Sequence, residues 1–484
     1  MMLLVILALL AATPAWAADD AVARATRLYE QRHYHDAART LETALPSLDP
    51  ARQAAASLTL GIVYLGSAEL HRDLAQSATP IQLEYLKALA ASRGPGASRL
   101  ASLYLGQTLL ESGRPAEAIA PLERVASDAG VEPAFRAQAR AHLGLAHFVL
   151  RDTATARTIW KSLDARDSQV KATLAAVYSR AGITDPAPVA LAEAALKDER
   201  PLVRQRLIGV YARAGLTAKA LTLVEQTDLR APTATEVLGP AKTINFYDPA
   251  LLGELAALYR QASRQALERG AADPRLKGTA EYYLGAAFLE AGDAERALQA
   301  TRAFLALPDA PPAYRNRARV REAAARSLLT RRGDAGSMLA DLAADAPADP
   351  DVLADIVAAC VRHRLACAAV EPRAVRAAEA GERRKTAALN FALGTYHLRK
   401  GDLPRAVAYL ESARDKTNKN RIEANDPLLL VTLAEAYYQT TQFSESLEIY
   451  FEMSRQFPVV RRLQETLQGV YAMTHKSAGD VKIF

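Results

Sequence analysis

The stretch LGTYHLRKGDLPRAVAYLESA, Leu393 to Ala413, sets a cadence that the chain repeats, and this restricts it to one kind of architecture. Leu393-Gly394 is followed by His397, then by Gly401, Ala406, Leu410 and Ala413. The same spacing returns at Leu284-Gly285, Phe288, Gly292, Ala297 and Phe304, and at Leu105-Gly106, Leu109, Gly113, Ala118 and Leu122. Looser copies begin at Leu143-Gly144, Leu174-Ala175, Leu207 and Leu433-Ala434. A recurring period of this length marks a repeat protein before any single motif is weighed.

Helical geometry explains the spacing. Leu393, Gly394 and His397 fall on successive turns of one helix face, where they meet a neighbouring helix. Gly394 lets two backbones approach closely, and Gly401 supplies the positive φ that ends a helix. Ala406, Leu410 and Ala413 restore the three-and-four spacing on a second helix, with Ala406 small where the pair crosses. Each unit is therefore a helix hairpin with one apolar face that it cannot bury alone, and stacking hairpins buries it. Composition agrees: half of the residues are hydrophobic, only 6% are aromatic, and long runs are built from the strong helix formers Ala, Leu and Arg.

This pattern resembles the tetratricopeptide repeat family, whose motif places Leu-Gly and an aromatic residue in the first helix, Gly at the turn, and Ala, an aromatic residue and Ala in the second. The resemblance covers about two thirds of the chain after residue 17 in seven or more copies. The usual first-helix Trp is missing, and Trp160 falls in a second helix. The fold expected is all-α, a right-handed α-solenoid of tetratricopeptide-like hairpins.

Family geometry implies that the first helices line a groove for partners. On this register Tyr282, Phe391, Thr395, Arg399, Glu435, Tyr438 and Gln439 are the candidate partner-binding residues. Chaperone-binding members clamp a peptide's terminal carboxylate with Lys and Asn. Here Phe391 and Thr395 stand at those positions, so a carboxylate clamp is not expected.

The first seventeen residues stand apart. An apolar core from Leu3 to Ala12 is too short to cross a bilayer, and Ala15-Trp16-Ala17 forms a small-x-small cleavage site. They read as a signal peptide over 1–17, cleaved near Ala17, which predicts a periplasmic or secreted protein. No other segment approaches 18 uninterrupted apolar residues, so no transmembrane segment is expected in the mature chain. The remainder divides into an N-terminal array over 18–228, an irregular linker loop over 229–248, and a C-terminal array over 249–484. Three Pro or Gly residues and several Thr in DLRAPTATEVLGPAKTINFYD break any helix there. A short extended arm, SAGDVKIF, closes the chain.

Catalytic and cofactor motifs are missing from the sequence. The eight His residues form no HExxH, and no CxxC, GxSxG or glycine-rich phosphate loop occurs. We expect no enzyme activity, no metal and no cofactor. Cys360 and Cys367 are seven residues apart, about 10.5 Å on one continuous helix, which is too far for a disulfide. Across a turn at Arg362 to Arg364 they would face each other and pair, so a bridge and two buried thiols both remain open. Seven Arg face one Glu between Pro311 and Gly333, and Arg315, Arg319 and Arg326 fall on one helix face as a basic stripe. A formal charge of +6 on an exported chain points away from nucleic acid.

The function expected is a non-catalytic scaffold that binds protein or peptide segments of the cell envelope and supports assembly of a secretion, pilus, outer-membrane or polysaccharide-export machine. The alternative is a solenoid that binds a glycan, peptidoglycan or an anionic exopolysaccharide. The low aromatic content weighs against it, because sugar sites use aromatic platforms.

Overall fold

A computed structural model describes residues 18–91, 97–184, 187–239, 242–308, 310–330, 334–345, 349–365, 368–381, 386–414 and 426–474. The signal segment 1–17, Cys367 and the arm from Ser477 lie outside the described residues. Among those described, the chain is helical apart from one two-stranded β-hairpin, and successive helices pack as antiparallel hairpins. The fold is an all-α solenoid of such hairpins. No described helix is long and apolar enough to cross a membrane.

The reversal between helices follows the same recipe in two of the hairpins. Gly401 takes φ +82° after the Ala387–Lys400 helix, and the Asp402 N–H donates to the His397 carbonyl at 2.9 Å. That is the closing bond of a Schellman turn. Asp402 then caps the Leu403–Ala413 helix by accepting from the Arg405 N–H. Gly292 and Asp293 do the same between Lys277–Glu290 and Ala294–Leu305. Inside the hairpin, a Cβ on Gly394 would lie 2.6 Å from Leu410 Cγ, and one on Gly106 would lie 2.5 Å from Leu122 Cγ. The second-helix Leu fills the room that the missing Cβ leaves.

The chain forms two compact units. One takes residues up to 70 together with 259–446, and the other takes 71–258 together with 447 onward. The boundaries at 70, 258 and 446 fall inside helices, namely Pro50–Ala91, Leu251–Gly270 and Phe443–Met453. This differs from the division placed at the 229–248 loop. That stretch contains an antiparallel hairpin, β1 (Ala234–Gly239) and β2 (Lys242–Phe246), which belongs to the second unit. Phe246 is 2% exposed and stacks on Tyr104 at 5.1 Å between centroids. Alternation explains why a hairpin replaces a loop: Ala234, Ile244 and Phe246 pack on the core, while Thr235 and Val237 face out.

The second unit is closed by a helix from the far end of the chain, Val460–Thr474. Val460, Leu463, Leu467 and Val470 are buried along it. Glu465 accepts from the Asn245 amide at 3.2 Å and from the Tyr247 hydroxyl, which ties the helix to the hairpin segment. A Cβ on Gly469 would strike the Tyr85 ring.

Not every turn uses Gly, since Arg32, Arg364 and Thr441 also hold positive φ. Arg151 holds φ +73°, while Asp152 still bonds back to His147 and caps the next helix. A side chain in that conformation costs about 1 kcal/mol. Arg151→Gly should therefore raise stability by about 1 kcal/mol, and Gly401→Ala should lower it by a similar amount. Urea unfolding midpoints at constant slope measure both, and opposite signs would refute this account of the turns.

Candidate functional site

In the first unit, the Ala387–Lys400 and Pro427–Gln439 helices bring several expected residues onto one face. Phe391 and Thr395 are half-buried one turn apart, with Arg399 exposed at the next turn. Arg399 forks onto the carboxylate of Glu435, with Nη2 at 3.0 Å from Oε2, and the Gln439 amide donates to the same carboxylate at 3.1 Å. Glu435 is only 3% exposed, so Arg399 and Gln439 satisfy a buried charge rather than wait free for a partner. Tyr438 is buried against Phe443.

Tyr282 lies apart from this face. It is 5% exposed and packs edge-on against Tyr283, Phe304 and Tyr314, with the Arg321 guanidinium 4.1 Å from its centroid. The basic stripe is also largely engaged. Arg315 donates to the carbonyls of Leu307, Pro308 and Ala310, and Arg326 pairs with Glu322 at 2.6 Å, whereas Arg319 is exposed. Helix spacing aligned these arginines but could not reveal the carbonyls of the preceding turn. Cys360 is buried at the end of Pro350–His363, while Cys367 lies outside the described residues.

The second unit holds a polar cluster that sequence reasoning missed. It is built on the first helices of consecutive hairpins: Pro133–Val149, Ser168–Ala181 and Pro201–Arg213. Arg206 is 6% exposed; its Nε lies 3.2 Å from Asp248 and its Nη1 donates to the Thr173 hydroxyl. Glu254 accepts from Arg180 at 3.3 Å and from Arg213 at 2.7 Å, all on Oε1. Gly209 makes room for this carboxylate, since a Cβ there would lie 2.8 Å from Glu254 Cδ. Gln138, Gln169 and Gln205 are buried at the starts of the three helices, and Arg462 of the closing helix donates to Gln205 at 2.7 Å. The polar face of these hairpins is thus covered by the chain's own residues, Asp248, Glu254 and Arg462.

A signal for part of this was present. In PLVRQRLIGVYAR, Arg206 follows Val203 by three and precedes Val210 by four, which is the core stripe of an amphipathic helix. A charge at such a position implies a buried partner. The partner itself, Asp248, lies beyond the hairpin and has no local signature.

Electrostatics follow from the packing. Burial, reinforced by the nearby Arg206 charge, pushes His142 down to about 3. Its Nδ1 donates to the Gln138 carbonyl at 2.9 Å, so Nε2 carries the lone pair. Burial alone would raise Asp248, but the guanidiniums of Arg206 and Arg180 outweigh it and hold the carboxyl below its ordinary range. Among the described residues, no group of three or more His, Cys, Asp or Glu side chains is placed to hold a metal ion.

No family model matches the chain, and no curated protein does. Among solved structures, yeast Tom70 is similar at 12% identity over 95% of this chain and 96% of that one, with a TM-score of 0.33. The APC/C hetero-tetramer Cut9-Hcn1 is similar at 13% identity over 96% and 98%, with a TM-score of 0.28. Superpositions this loose carry no functional argument, and the hairpin fold rests on the turns and crossings described above.

Two outcomes follow from the buried cluster. Asp248→Ala leaves Arg206 buried without its counter-charge and should cost about 3–5 kcal/mol in urea unfolding. A loss under about 1 kcal/mol would mean that the pair is solvated.

Acid should also destabilise the protein through His142. Above pH 6.5 the ring is neutral in both folded and unfolded chains. As pH falls from 6.5 toward 3 only the unfolded chain takes up a proton, and at pH 5 this removes about 2 kcal/mol. His142→Gln should flatten that part of the stability–pH profile, and an unchanged slope would exclude His142 as the source.

Proposed function

We propose that this chain is a non-catalytic protein-interaction scaffold, exported to the periplasm, that supports assembly of a cell-envelope machine for secretion, pilus formation, outer-membrane biogenesis or polysaccharide export. The observation that carries the reading is the run of hairpins closed by recurring left-handed turns. Such a stack presents side chains at set spacings without ordering on binding, which lowers the entropic cost of association.

The face of Phe391, Thr395, Arg399 and Gln439 is where we place the partner. It offers a half-exposed aromatic side chain beside a charged cluster whose geometry is held by Glu435. An aromatic anchor next to oriented polar groups suits a peptide segment. The tyrosines around Tyr282 pack on one another and on Arg321, which favours a protein partner over a sugar platform. Export rests on the sequence of residues 1–17.

The test is in-cell photo-cross-linking from positions 391 and 439, followed by mass spectrometry. We expect one defined envelope protein, captured less than a tenth as well when Phe391→Ala is added to the position-439 probe. Phe391→Ala is preferred to Arg399→Glu, which would place a second carboxylate beside buried Glu435 and unfold the face. Capture of glycan fragments without protein, or cytoplasmic retention of the uncleaved chain, would overturn the reading.

A further inference from the structure

The β-hairpin of the second unit has an edge left open among the described residues. Its ladder pairs Ala234 with Phe246, Thr235 with Asn245, Glu236 with Ile244 and Val237 with Thr243. The one backbone–backbone bond that either strand makes outside that ladder, among the described residues, joins the Thr233 N–H to the Phe246 carbonyl. Alternate N–H and C=O groups of β1 therefore point away from β2 with no backbone partner, and such an edge is a template for another strand. Two side chains of β1 are also incompletely matched. Val237, on the outer face, is 71% exposed, more than any other large hydrophobic residue described. Glu236, half-buried on the core face, keeps Oε2 buried without a hydrogen-bond partner among the described residues.

The described chain also leaves off beside this hairpin. Met473, one residue before the end of the Val460–Thr474 helix, packs on the same apolar cluster as Ala234, Ile244 and Phe246. Residues 475–484 follow, and within them Val481-Lys482-Ile483-Phe484 supplies three strand-forming side chains in four. The six residues from His475 to Asp480 include Gly479 and reach about 20 Å, enough to turn the chain back onto the hairpin.

We propose that residues 481–484 add to β1 as an antiparallel third strand, with Val481 opposite Val237, Lys482 opposite Glu236, Ile483 opposite Thr235 and Phe484 opposite Ala234. Side-chain alternation selects this register. It puts Val481 and Ile483 on the outer face, where Val481 covers Val237. It puts Lys482 on the core face, where the ammonium meets the unpartnered Glu236 oxygen. Phe484 then lies over the small side chain of Ala234, beside the Tyr104–Phe246 stack. A slip of one residue sets Lys482 against an outer-face residue and an aliphatic side chain against the Glu236 carboxylate, so both matches are lost. The arm thus closes, within one chain, an edge that would otherwise pair with a strand of another. This strap belongs to the second unit and is independent of the partner face at Phe391.

The experiment compares the full chain with a chain ending at His475 and with Lys482→Glu, each checked by its unfolding midpoint. Amide deuterium exchange is read residue by residue across Ala234–Gly239. We expect the outward-pointing amides of β1 to exchange about tenfold faster after truncation. Lys482→Glu sets like charges opposite each other and should speed the same amides about threefold. Adding Glu236→Gln should cancel that effect. A photo-reactive residue at position 237, in a mixture of isotope-labelled and unlabelled chains, identifies the occupant. We expect cross-links to 481–484 of the same chain. Exchange unchanged by truncation overturns the proposal. So do cross-links from position 237 to a second copy, or to segments other than 481–484.

Discussion

Everything in this fold depends on how closely two consecutive helices can cross. A hairpin whose first helix carries Gly at the crossing lets the second-helix Leu lie almost on the backbone, as Gly394 does for Leu410 and Gly106 for Leu122. The left-handed turn residue, joined by a capping Asp at Asp402 and Asp293, then fixes where the second helix starts. Once those two constraints hold, the remaining outer face of each hairpin is apolar and has nowhere to go except onto the next hairpin. Ala at the second-helix position, 0% exposed at Ala118, Ala156, Ala220 and Ala406, is the consequence rather than the cause.

The buried charges of the second unit do not follow from that rule, and their energetic sense is different. Burying Arg206 with Asp248, and Glu254 with Arg180 and Arg213, gains little net stability, because desolvation nearly cancels the Coulomb attraction. What such pairs do strongly is penalise wrong arrangements. If the segment from Phe246 to Glu254 shifted by one residue, Arg206 would be buried without its counter-charge and Arg180 and Arg213 would lose Glu254. An apolar plug in the same place would tolerate sliding. The ion pairs thus fix the register of the segment that follows the β-hairpin, and Ala250 N–H onto Asp248 at 2.9 Å holds the carboxylate in line.

Periodic features were legible in the sequence, and features that join distant residues were not. The hairpins at Leu105, Leu284 and Leu393 could be read directly, because Gly, Ala and turn positions are set by helical geometry within about twenty residues. The sequence of the 229–248 stretch reads as irregular although Thr235, Val237, Thr243 and Ile244 flank a Gly-Pro pair, a strand signature outweighed by the helical pattern on either side. For the site, the register puts Arg399, Glu435 and Gln439 among the candidates, yet spacing gives no hint that two of them neutralise the third. Tyr282 was placed by the same register and lies in a core, since helix periodicity assigns a side chain to a face but not the neighbour that covers it. Arg206 with Asp248, and Gln205 with Arg462, needed the tertiary structure.

The pairing of Arg462 with Gln205 has a consequence for how the second unit comes together. Its hairpins between residues 97 and 225 are local and can form as the chain is made. Their polar stripe of Gln138, Gln169 and Gln205 nevertheless stays incomplete until a helix more than two hundred residues later arrives. Loop closure over such a distance adds only modestly to the entropy cost, because the cost grows with the logarithm of length. Its effect is on rate, since contacts that distant form late. Until then Tyr85 and Tyr247 lack the cover of Val460–Thr474, and the unpaired donors of the stripe are open to water. The closing helix brings both kinds of partner together, Val460, Leu463 and Leu467 for the apolar surface and Arg462 and Glu465 for the polar one. Neither set alone would select this helix over the many other amphipathic helices of the same chain, and the combination does.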